Sequence, residues 1–223
     1  MENNFILNLE MPGMVIFDPL TVTDYLREKG ILTNDLLAYF VSNEEIGKEV
    51  ITKGIIIPIY PIPEWDYSIM INQNKKIDYY TKIDCIQFET NQFPLTVTSE
   101  LVIISDISAI TIDWEADFFL NYEKNLDSKS DISHYTKMPI GNYGVSIIGY
   151  SKDKTDMDSE CGYVFDFLRV NNLPAFDFSK SIDEYDFVIE PLNKFMQEQE
   201  TQNARSLDIK AFWFTFGIGY LEG

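Results

Sequence analysis

The apolar positions of this chain fall in short β-branched or aromatic runs broken by Pro, Gly, Asn and Asp, the pattern of a protein built mainly of short strands. The clearest stretch begins at Gly54. Ile55 to Tyr60, Tyr67 to Ile71, Tyr79 to Glu89, Leu95 to Thr98 and Leu101 to Ser105 each predict a strand, and "SAITIDW" predicts another ending at Trp114. Ahead of it, Phe5, Leu7 and Leu9 alternate with Ile6 and Asn8, the chain breaks at Pro12-Gly13, and Met14 to Phe17 resumes, giving two short strands joined by a turn. Behind it, "HYTK", Tyr143 to Tyr150 and Tyr163 to Val170 predict strands. "AFWFTFGIGY" places Phe212, Phe214, Phe216, Ile218 and Tyr220 on one face of a closing strand.

Helical signals are fewer. "TVTDYLREKG" offers Thr23 as an N-cap, Asp24 in the first turn, Arg27 and Lys29 in the last, and Gly30 just past the end, marking a short helix. Leu36 to Val41 suits a buried strand or a helix face and is read as a strand, followed by a helical turn over Asn43 to Thr52. Pro191 is placed to start a helix across "PLNKFMQEQETQNAR". The fold class expected is mainly β, with α+β left open: an antiparallel β-sandwich or jelly-roll-like arrangement with few short helices. It is expected to form a single β-rich domain over residues 1–223, with a candidate lobe boundary near 126–132, where Asp127 to Ile132 is polar. "PIPEWDYSIMI" and "MPIGNYGVSIIG" each put a Pro-Ile turn before a tyrosine and a Ser-Ile step, as two copies of one hairpin type in related half-domains would.

With 45% hydrophobic and 14% aromatic residues among 223, the chain has the means to fold on its own core and is not a disordered sequence. Its 17 Lys and Arg against 36 Asp and Glu give a net charge of −19 and a pI near 4.2. Such a surface repels phosphate backbones, which argues against nucleic-acid binding, and attracts basic partners. The plainer reading of the same acidity is solubility. No apolar run reaches the ~18–20 residues of a membrane helix, and Met1 to Leu7 does not make a signal peptide, so a soluble cytoplasmic protein is expected. Cys85 and Cys161 form neither a disulfide framework nor a C-x-x-C pair, which suits reduced thiols.

Catalytic signatures are missing from the sequence. His134 is the one imidazole, no G-x-S-x-G elbow accompanies it, and neither "GNYG" nor "GIGY" precedes a helix with a phosphate-binding lysine. In "DKTDMDSECG", Asp156, Asp158 and Glu160 alternate like calcium ligands. An EF-hand loop, however, needs glycine sixth and glutamate twelfth, where this chain has Cys161 and Phe167. No catalytic residue, cofactor or metal is therefore expected.

Two regions remain as binding candidates. Glu64, Trp65 and Asp66 set an aromatic platform between two acids, as carbohydrate sites do, although Trp65 packing on its own sheet with solvated acids is the simpler arrangement. The second is the charge-rich stretch Ser151 to Glu190, where Asp153, Asp156, Asp158 and Glu160 form one acidic cluster and Asp183, Glu184 and Asp186 another.

The strand–helix–strand opening and the hairpin at Met138 to Tyr150, with its fainter counterpart at Pro58 to Ile71, resemble small bacterial toxin-immunity proteins, including those of the competence-nuclease-inhibitor type. The resemblance implies a β-sandwich-like protein that neutralises a toxin or nuclease of the same cell. It carries over no functional residue and offers no counterpart for the acidic C-terminal third. The function expected is thus a non-catalytic acidic inhibitor whose loops meet a basic toxin or nuclease. The alternatives are a carbohydrate or small-molecule site using Trp65 and neighbouring carboxylates, or a structural subunit that pairs through its C-terminal strand.

Overall fold

Residues 4–73, 86–111, 114–125, 131–156, 158–177, 185–190 and 192 are described by a computed structural model. Strands Met14–Phe17 (β2), Ile56–Ile59 (β3) and Leu101–Asp106 (β7) read MVIF, IIPI and LVIISD, with no polar alternation, because the sheet they build is covered on both faces. With Ser133–Lys137 (β8) they form a four-stranded sheet in the order β3-β2-β7-β8. One face sends Met14, Ile16, Ile57, Ile59, Val102 and Ile104 into a core shared with a second sheet. The other sends Val15, Phe17, Ile56, Leu101 and Ile103 against the helices Pro19–Lys29 (α1), Leu36–Ser42 (α2), Glu44–Thr52 (α3), Ala116–Leu120 (α4) and Tyr122–Asn125 (α5).

The second sheet has six strands: Asn4–Asn8 (β1), Asp66–Gln73 (β4), Cys161–Val170 (β10), Gly141–Ser151 (β9) and Ile86–Glu89 (β5) in that order, with Phe93–Val97 (β6) also pairing β9. Its inner face supplies Leu7, Tyr67, Ile69, Tyr163, Phe165 and Ile147 to the shared core. The architecture is therefore α+β with strand outweighing helix, two sheets and few short helices. The expected antiparallel pairing holds at every described ladder except β4–β10, which is parallel, with Gly162 opposite Ser68 and Phe167 opposite Gln73.

Four expectations are corrected. Leu36 to Val41 is helix α2: the Asp35 carboxylate caps it by accepting from the Ala38 N–H, and Leu36 and Phe40, one turn apart, are its buried face. In "SAITIDW" the residues Ser108 to Thr111 are no strand, and Ile112 and Asp113 lie outside the described residues. The Asp106 carboxylate accepts from the Ser108 N–H and starts a 3-10 turn at Ile107–Ile110, while the Trp114 N–H donates to the Asn34 carbonyl. Helix α1 starts four residues before Thr23, at Pro19, with Asp18 as its cap; the Thr23 hydroxyl instead donates to the Pro19 carbonyl. The two Pro-Ile segments are not hairpins. β3 and β8 are the edges of the four-stranded sheet and β4 and β9 belong to the other, so both segments carry the chain from one sheet to the other.

Their likeness has a physical basis in the tyrosine each contains. Tyr67 donates its hydroxyl to the Pro63 carbonyl at 3.0 Å and Tyr143 donates to the Pro139 carbonyl at 2.6 Å, both four residues back. Each is a tyrosine corner, in which a buried ring anchors the chain as it changes sheets. The strand over Tyr79 to Cys85, the helix after Pro191, the closing strand with Phe212 to Tyr220, and most of the 126–132 boundary lie outside the described residues.

One buried carboxylate joins the layers. Asp18, fully buried, accepts from the Leu20 and Thr21 N–H groups at the start of α1 and from the Thr98 and Ser99 N–H groups and Ser99 hydroxyl in the β6–β7 turn, all at 2.8–2.9 Å. On the outside, Glu49 of α3 lies between Lys29 and Lys53, each at 2.6 Å, and these ammonium groups, Lys29 foremost, pull its carboxyl from 4.5 to about 2.

Asp18→Ala orphans donors at both ends of this junction and is expected to lower unfolding free energy in urea by about 3 kcal/mol or more, with Asp18→Asn recovering only part because its NH2 would face other donors. Tyr67→Phe and Tyr143→Phe should each cost about 1–2 kcal/mol in the same measurement. The depressed Glu49 carboxyl adds stability that is present above its ordinary value of 4.5 and is lost as pH falls toward about 2. Glu49→Gln should therefore flatten that acid limb of the pH–stability curve.

Candidate functional site

The antiparallel β1–β4 ladder sets Ile6 opposite Ser68 and Asn8 opposite Asp66, so these four side chains share the outer face of the six-stranded sheet. At the same end, the first tyrosine corner projects Glu64 and Trp65, and the β9–β10 loop brings in Asp158, Ser159 and Glu160. Together they enclose a cleft of about 540 Å³, also lined by Leu9 and the buried Cys161. Two acidic stretches far apart in the sequence, Glu64-Trp65-Asp66 and Asp158 to Glu160, thus face one space.

The walls are held by specific bonds. The Leu9 N–H donates to the Trp65 carbonyl at 3.0 Å and the Asn8 amide to Asp66 Oδ1 at 2.7 Å, fixing the corner against the end of β1. Glu160 accepts from Lys152 Nζ at 2.5 Å and from the Tyr150 hydroxyl at 3.3 Å. Inside the loop, the Thr155 N–H and hydroxyl donate to Asp153 Oδ1, whose carboxyl the backbone donor chiefly holds below its ordinary range. The Asp158 N–H donates to Asp156 Oδ1. Asp153 and Asp156 therefore shape the loop, while the exposed Glu64 and Asp158 carboxylates accept no side-chain bond from the described residues. Trp65 is half-buried against the shared core and also lines the cleft.

Of the candidates, the structure gathers Glu64, Trp65, Asp66, Asp158 and Glu160. Asp153 and Asp156 lie back in the loop, Asp186 is exposed away from the cleft and accepts from the Val188 N–H, and Asp183 and Glu184 lie outside the described residues. Sequence reasoning missed Ile6, Asn8, Ser68 and Cys161. The alternation around Ile6 and Asn8 shows that they share a face, but their closeness to Asp66 depends on a strand pairing that nothing local encodes. His134 stacks on Phe5 with ring centroids 3.9 Å apart, tying β8 to β1. Among the described residues no three His, Cys, Asp or Glu side chains are grouped to hold a metal, and no helix is long and apolar enough to cross a membrane.

No protein-family model and no curated protein matches the chain. Among solved structures it is weakly similar to ComJ, inhibitor of the DNA degrading activity of NucA, from Bacillus subtilis, at 13% identity and a TM-score of 0.40, over 76% of this chain and 96% of that one. A likeness of that degree assigns neither activity nor site.

Burial, and then the neighbouring Glu160 charge, push the Cys161 thiol from 9.0 up to about 11. In a Cys85→Ser background, alkylation of folded protein at pH 8 should therefore run about a hundredfold slower than that of the unfolded chain, from the smaller thiolate fraction alone. Mass-spectrometric labelling with iodoacetamide checks this.

Proposed function

We propose that this chain is a non-catalytic binding protein of inhibitor type, whose acidic cleft takes up basic groups of a protein partner, a toxin or nuclease acting in the same cytoplasm. The observation that supports it is the meeting of Glu64, Asp66, Asp158 and Glu160 in one cleft on a chain of net charge −19. Carboxylates so placed compete with phosphate for the cationic groove of a nuclease and speed encounter with it. Glu64 and Asp158, exposed and accepting no side-chain bond from the described residues, face incoming charge, whereas Glu160 is already neutralised by Lys152.

Capture from the native cell at low ionic strength, followed by titration of the captured protein, is the test. Binding should weaken steadily with added salt, and Glu64→Lys with Asp158→Lys should raise Kd by about tenfold or more. Binding indifferent to both salt and charge reversal rejects the reading.

The cleft also supports a second reading. Its volume of about 540 Å³ lies in the ~300–1,000 Å³ range of small-molecule sites, and Trp65 offers a ring for a sugar to stack on. A thermal-shift screen with mono- and oligosaccharides separates the two. A midpoint shift that disappears in Trp65→Ala supports the sugar site, and no shift with any sugar dismisses it.

A further inference from the structure

An exposed strand edge is a row of unpaired donors and acceptors, and proteins guard such edges with Pro, charge or a bulge. In this fold β3 carries Pro58, β6 carries Pro94, β8 carries Lys137, and β5 carries Glu89 and a register shift between Ile86 and Phe88. β1, an edge of the six-stranded sheet, reads NFILN and has none of these.

The direction of its free groups follows from two bonds. The Leu9 N–H points toward β4, donating to the Trp65 carbonyl, while the Asn8 N–H points the other way and donates to the Asp131 carbonyl at 2.8 Å. By alternation, Phe5 and Leu7 bond β4, and Asn4 and Ile6 direct their N–H and C=O groups outward. At Asn8 this outward row is already taken by the Asp131 carbonyl, in the turn that leads into β8. At Ile6 no described residue bonds it, and the Ile6 side chain beside it is 56% exposed. Ile6 and Asn8 are at the same time walls of the acidic cleft.

We propose that the β1 edge receives an extended basic segment of the partner as an added strand, the segment's cationic side chains entering the cleft. This rests on the reading of the cleft as a site for a basic protein and states how that protein is held. A strand added at the usual spacing of about 4.8 Å lies alongside Ile6, and every second side chain falls on the outer face of the sheet. From there long cationic chains extend over Ile6 and Asn8 toward Asp66, Glu64 and Asp158. Main-chain bonds supply register and the cleft supplies selection for Lys or Arg at alternate positions, the division of labour of β-augmentation.

The test uses the full chain and two peptides of alternating Arg and Val with blocked ends, one of them N-methylated on alternate backbone nitrogens so that charge is kept and strand pairing is lost. At low salt, calorimetry should find the unmodified peptide bound at least tenfold more tightly than the methylated one. Ile6→Pro, tolerated at an edge whose N–H faces solvent, should remove that preference. Amide shifts on binding should include Ile6. Equal affinity for the two peptides overturns strand addition. If both then lose binding in Glu64→Lys with Asp158→Lys, the acidic cleft stands without it. Binding of neither peptide also overturns strand addition and leaves the cleft to be judged by partner capture.

Discussion

The Asp18 carboxylate is the point at which the three layers of this protein are joined. It terminates α1 from the helix layer and closes the Thr98–Ser99 turn, where the chain leaves β6 of one sheet and enters β7 of the other. A fully buried carboxylate is costly to desolvate, and it is tolerated where donors surround it as they do here. Around this junction the four-stranded sheet can be covered on both faces, and its continuous apolar strands have somewhere to go. A pair of nearby threonines reinforces it: Thr21 shares a hydroxyl bond with Thr98 at 2.8 Å, again linking helix to turn.

The cleft is a by-product of the way the chain changes sheets. The corner anchored by Tyr67 must leave β3 and reach β4, and the tip it throws out holds Glu64 and Trp65. Gly162 lets β10 approach β4 closely, since a Cβ there would overlap the Ser68 carbonyl; this brings the β9–β10 loop beside the corner. Acidic residues on both features then share a space that neither would enclose alone.

Much of the strand content was legible because β-branched runs between turn residues are a local signal: Met14–Phe17 sits where the pattern put it, and Leu101–Asp106 and Cys161–Val170 differ from the expected strands only by one or two end residues. Errors arose where local signals compete. Leu36 to Val41 has the composition of a strand, and what makes it helix is a cap at Asp35 and a buried face of two residues; the segment after Asp106 has β-branched residues, but the Asp106 side chain accepts from the Ser108 N–H and turns the backbone. The Pro-Ile echo was real in sequence and misread in space, because a corner and a hairpin use the same proline and the same tyrosine. At the cleft, each acidic stretch could be singled out alone. Their meeting, and the part of Ile6 and Asn8 in it, depends on the β1–β4–β10 pairing, which is long-range and leaves no trace in a short window.

The parallel β4–β10 ladder has a consequence for when the molecule becomes competent. It pairs strands with five others between them in chain order, half of each sheet, and closing so large a loop costs entropy that local elements and hairpins do not incur. One wall of the cleft arrives early in synthesis and the other only when β10 has been made and docked. A nascent chain that stops short of β10 therefore carries one wall without the other, and any binding that needs both acidic stretches waits until the sheet is closed.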